Sequence, residues 1–101
     1  MRRGEVYEYA LGSQRARIAI LSAARYNPSR ATFAAVLGAD VTPPPVAVLV
    51  PTTDADPVRG TIDVSRLRPV DPSAVRARIG RLAPATLRQL DRALRAYFDL
   101  L

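Results

Sequence analysis

Short runs in which apolar and polar residues alternate fill the first two-thirds of the chain, and one long helical period fills its end. After Gly4, the run Glu5-Val6-Tyr7-Glu8-Tyr9-Ala10 reads as a half-exposed strand, residues 11–14 as a turn, and residues 16–22 as a second strand. The pair predicts a hairpin whose rim carries Arg15 and Arg17. On the second strand, Ile18 and Ile20 fall on one face, and Arg15, Arg17, Ala19 and Leu21 on the other. Asn27-Pro28-Ser29 then marks a turn before the apolar run 32–37, which reads as a buried central strand. Pro43, Pro44 and Pro45 lack N–H groups and have fixed φ, so they form a stiff surface link. A β-branched strand follows at 46–50 and a loop at 51–57. Gly60 opens a strand over 61–66, with Ile62 and Val64 inward and Thr61, Asp63 and Ser65 outward.

Asp71-Pro72-Ser73 predicts a short turn or helix running to Arg78, with Gly80 as its end. The last element is the clearest: Leu87, Leu90, Leu94, Tyr97 and Leu101 recur at i+3 and i+4, Pro84 suits a first helical position, and Asp91 and Arg95 form an i, i+4 pair. That stripe needs a sheet to lie on. Five short strands and one docking helix predict a single α+β domain over residues 1–101, a small, strongly curved barrel closed by its C-terminal helix.

Composition narrows the chemistry. The chain has no Cys and no His, which removes disulfides, thiolate catalysis, zinc clusters and the usual general base. Reactions must run on Arg, Asp, Glu, Tyr, Ser or Thr. No apolar stretch approaches the roughly 20 residues of a membrane helix, and no signal-peptide pattern opens the chain, so a cytoplasmic address is expected. All 15 cations are Arg: residues 1–63 hold seven against six acids, and residues 64–101 hold eight against three. A basic second half points to RNA, DNA or an acidic peptide.

Four groups of residues carry a resemblance: Arg3-Gly4-Glu5-Val6-Tyr7, Gly12-Ser13-Gln14, Leu21-Ser22 with Tyr26-Asn27-Pro28-Ser29-Arg30, and the closing series from Val64-Ser65-Arg66-Leu67-Arg68-Pro69-Val70-Asp71 through Ile79-Gly80-Arg81-Leu82 to the terminal helix. In this order they resemble the MazF/PemK toxins of type II toxin–antitoxin systems, which share a superfamily with CcdB. The resemblance implies an SH3-like β-barrel of about five to seven strands with a C-terminal helix. It also implies a homodimer, metal-independent and ribosome-independent cleavage of single-stranded mRNA at short sequences, and a cognate antitoxin whose flexible acidic tail occupies the RNA groove. No cofactor is implied.

The family's catalytic pattern is altered here. Where members carry Arg-Pro at the start of strand two, this chain has Ala16 and Arg17, with Arg15 one step earlier. The polar position after the third strand falls at Gly38 and Ala39, and the Arg-x-Asp of PemK-like members falls at Asp63 and Ser65. Metal-free RNA cleavage needs a base for the 2′-hydroxyl, an acid for the leaving oxygen and a cation for the phosphorane charge. The candidates are Arg17 or Arg15 as the cation and Ser65 with Asp63 as the polar pair, with Glu5 and Glu8 as other carboxylates. Gln14, Arg15, Arg17, Arg25, Arg66 and Arg68 are the expected RNA or antitoxin contacts. Thr52 and Thr53 read as loop caps, and Tyr7 and Tyr9 as packing. The alternative is a CcdB-like or degenerate MazF-like toxin that binds gyrase, RNA or antitoxin without cleaving; a DNA-binding adaptor ranks last. The strand-two register separates these readings, because a one-residue shift changes faces. Arg15 or Arg17 on the Ser65 side supplies the catalytic cation, whereas Ala16 there removes it.

Overall fold

The computed structural model describes residues 1–24, 31–38 and 48–100. Within them the chain forms β1 (Glu5–Leu11), β2 (Gln14–Ile20), β3 (Phe33–Gly38), β4 (Leu49–Pro51), β5 (Thr61–Pro69), β6 (Val75–Arg81) and α1 (Pro84–Tyr97). The strands make one antiparallel sheet in the order β4-β5-β3-β2-β1-β6. β1 and β2 pair from Val6 with Ala19 to Leu11 with Gln14, so the connection is only Gly12-Ser13. Gly12 has φ +63, a conformation such tight hairpins favour and glycine tolerates.

Alternation along the strands builds a core on each face of the sheet. Val6, Ala19, Ala35, Leu37, Ile62 and Val64 pack on one face with Leu90 and Ala93 of α1. Tyr9, Ile18, Ile20, Ala34 and Val36 pack on the other, covered by Val70, Ala74 and Val75 from the segment leading into β6. The predicted split of Ile18 and Ile20 from Ala19 and Leu21 is therefore observed.

Several expectations change. Residues 75–81 form a strand, β6, where a helix or turn to Arg78 was expected; only Pro72–Ala74 is helical, as one 3₁₀ turn. β6 pairs with β1, and the pairing continues through Gly80, opposite Val6. β5 extends to Pro69, beyond the expected end at Arg66. Thr61 is buried although alternation placed it outward, because β5 lies between β3 and β4 there. α1 ends at Tyr97, and Tyr97 is 45% exposed, so the buried stripe runs through Thr86, Leu90 and Ala93 and stops short of it. Arg25, the Asn27–Ser29 turn, Ala39, Pro43–Pro45, the first part of the expected 46–50 strand and Leu101 lie outside the described residues.

Candidate active site

The face that carries Ala16 is fixed by strand pairing. Ala16 lies opposite Tyr9, and Asp63 lies opposite Val36; Tyr9 and Val36 belong to the same core, so Ala16 and Asp63 share that face. Asp63 is half-buried. Its Oδ1 accepts hydrogen bonds from the Ser65 backbone N–H at 2.9 Å and from the Ser65 hydroxyl. The expected polar pair is thus joined, while Oδ2 has no donor among the described residues.

A bulge in β5 brings a cation to the same face. Asp63 is opposite Val36, but Leu67 is opposite Ala35, so residues 64–66 have no counterparts on β3. Positions 63 and 68 differ by an odd number and would face opposite ways on a regular strand. Past the bulge, however, Arg68 lies opposite Ala34, in the same core as Val36. The Arg68 guanidinium sits over the Tyr9 ring, 5.8 Å from its centroid, a cation–π contact. Its Nε is enclosed and has no hydrogen-bond acceptor among the described residues. Tyr9, 2% exposed, is anchored because its hydroxyl accepts from the Asp71 N–H at 2.8 Å. Arg66, in the bulge, is exposed.

Arg15 and Arg17 occupy the opposite face. Arg17 is paired with Glu8 and Leu37, and Leu37 belongs to the core under α1. Glu8, Arg15, Ala16, Arg17 and Leu37 line a hollow of about 250 Å³. An adjoining one of about 260 Å³ is lined by Gln14, Arg15, Arg76 and Glu8, among others. The structure therefore joins Asp63 and Ser65 and puts Arg68 on their face, whereas Arg15, Arg17 and Glu8 lie on the other, so neither Arg15 nor Arg17 is the expected cation of the Asp63 face; Gln14, opposite Leu11, keeps the face of Ala16 at the far end of β2. The grouping of Arg68 with Asp63 could not be read from alternation, since the bulge reverses it.

Glu5 is fully engaged elsewhere. It accepts from Arg78 Nε at 2.7 Å, the Arg2 N–H at 2.6 Å and the Tyr7 hydroxyl at 3.1 Å. Burial pushes its carboxyl up, but the bonds from Arg78, Arg2 and Tyr7 outweigh that and hold it below the usual range. Burial and the Glu5 hydrogen bond raise the Tyr7 phenol. Thr52 and Thr53 cap a loop as expected: Thr52 Oγ1 accepts from the Gly60 N–H, and Thr53 Oγ1 from the Ala55 N–H.

A family model described as a PemK-like, MazF-like toxin of type II toxin-antitoxin systems matches residues 2–98. No curated protein matches the chain. Three solved structures are similar in fold. An endoribonuclease from a Mycobacterial species, in complex with its cognate antitoxin, has TM-score 0.85 and 22% identity, over 100% of this chain and 97% of that one. A second Mycobacterial endoribonuclease has TM-score 0.86 and 23% identity, over 99% and 92%. A MazE–MazF complex from Deinococcus radiodurans has TM-score 0.82 and 17% identity, over 100% and 97%.

Proposed function

Since the chain belongs to the PemK-like, MazF-like toxins of type II toxin–antitoxin systems, we propose that it is a metal-independent endoribonuclease that cuts single-stranded mRNA. The observation that carries this reading is the Asp63–Ser65 pair on the face of position 16, where the family keeps its catalytic Arg. Asp63, oriented by Ser65, takes the 2′-hydroxyl proton as that oxygen attacks phosphorus. The bond from phosphorus to the 5′-oxygen breaks, and water protonates the leaving oxygen. One product ends in a 2′,3′-cyclic phosphate and the other in a 5′-hydroxyl.

Arg66, exposed beside Ser65, is assigned to the RNA backbone next to the reacting phosphate, and Arg15 and Arg17, on the other face of the sheet, with Gln14 at the hairpin end, to antitoxin or to RNA away from the cleavage point. A cognate antitoxin with an acidic tail, a homodimeric assembly and a cytoplasmic setting complete the reading; it is supported by two similar structures described as endoribonucleases, one of them solved with its cognate antitoxin, and by the MazE–MazF complex. Among the described residues no helix is long and apolar enough to cross a membrane. Primer extension on a long RNA in excess EDTA tests it. Discrete stops are expected with the wild-type protein, reduced about 100-fold or more in Asp63→Asn. Intact RNA at micromolar wild-type protein would leave only the binding toxin.

A further inference from the structure

We propose that the Arg68 guanidinium, stacked on Tyr9, is the phosphate-binding cation of the Asp63–Ser65 face and takes one backbone phosphate of single-stranded RNA. The proposal rests on the RNA-directed reading above. It answers a gap that Ala16 leaves: a carboxylate base beside a phosphodiester repels its own substrate unless a cation lies close, and neither Arg15 nor Arg17 is on that face.

Three features bear on Arg68. Like most of the arginines it has no ion pair among the described residues, where the pairs are Arg3 and Arg95 with Asp91 and Arg78 with Glu5, and the other two features set it apart from them. It is half-buried, its Nε enclosed and without an acceptor among the described residues, so the guanidinium is held in a partly dry setting where a charge is poorly screened. It also shares Asp63's face: the residues opposite them, Ala34 and Val36, are two apart on β3, about 7 Å along a strand. The buried Tyr9 ring, held by the Asp71 N–H on its hydroxyl, gives the guanidinium a fixed platform. A guanidinium fork pairs with two oxygens of a phosphate at once.

The test measures binding of a 20-nucleotide 2′-O-methyl RNA, which lacks the attacking hydroxyl and cannot be cut, across a salt series. Arg68→Gln is expected to weaken binding about tenfold and to flatten the log K against log salt slope by about 0.7, the loss of one single-strand phosphate contact. Arg68→Lys, which keeps the charge but not the fork, retains the slope and loses part of the affinity. Arg88→Gln removes the same charge from the solvent side of α1 and leaves the slope unchanged. Far-UV circular dichroism and urea midpoints establish that each variant is folded; if Arg68→Gln is not, Arg68→Lys decides, by a fall in affinity at unchanged slope, and unaltered affinity in it overturns the proposal.

An Arg68→Gln slope equal to wild type, or an equal fall in Arg88→Gln, overturns the proposal. So does unchanged RNA affinity with lost binding of a polyglutamate peptide, which would assign Arg68 to a carboxylate partner. Arg68-dependent RNA binding by a wild-type protein that cuts no RNA would sink the nuclease reading and leave this inference standing.

Discussion

The Asp56 carboxylate receives four hydrogen bonds: from the Thr53 N–H at 2.8 Å and hydroxyl at 3.3 Å, from the Ala83 N–H at 2.7 Å and from the Thr86 hydroxyl at 2.6 Å. Ala83 is the N-cap of α1 and has no side-chain cap of its own, so Asp56 caps the helix from another segment. A carboxylate at a helix N-terminus also meets the favourable end of the helix dipole. Asp56→Ala strands the buried Thr86 hydroxyl and frees the helix start. It is expected to lower stability by about 2–3 kcal/mol in urea unfolding, with Asp56→Asn losing less because one acceptor oxygen remains. A change under about 0.5 kcal/mol would show that the cap is not needed.

At the scale of elements, β3 and β5 approach closely beside Gly60. A Cβ added there would stand 2.4 Å from the Gly38 carbonyl oxygen, a backbone atom that cannot swing away. Gly60→Ala is expected to cost about 1–3 kcal/mol and to speed amide exchange along β3 and β5, read by thermal melting and hydrogen exchange; wild-type exchange in β3 would refute the close-approach argument. The β1–β2 hairpin, the central strand and α1 were legible because each keeps one period throughout. β6 also had its signal, since Val75, Ala77 and Ile79 alternate with Arg76 and Arg78. It was obscured by Asp71-Pro72-Ser73 and Gly80, which carry the punctuation of a short helix. Of the site, Asp63 with Ser65 could be read from alternation along one strand. The place of Arg68 could not, because it depends on three residues of β5 that lack partners on β3.

For the whole molecule, acid stability follows from three carboxylates held below their ordinary range: Glu5; Asp91 through Arg95 and Arg3; and Asp71 through Ser73. A depressed folded pKa means that the unfolded chain takes up protons first. The stabilisation is therefore complete above the unfolded values near pH 4 and is lost as pH falls through the folded ones. Urea midpoints should be flat from pH 7 to about pH 5 and decline below pH 4, with a shallower decline in Glu5→Gln; the chain has no His to add a step near neutrality. A midpoint constant down to pH 3 would contradict the pairing. The arginine surplus of residues 64–101 also divides by location. Arg76, Arg78 and Arg81 are three of its eight, and all three are exposed on β6, an edge of the described sheet. An open strand edge invites pairing with other chains, and long cations along it oppose that association. Arg76 and Arg81, with Arg78 tied to Glu5, thus disfavour strand pairing with other chains, a consequence of the protein's basicity that is separate from RNA.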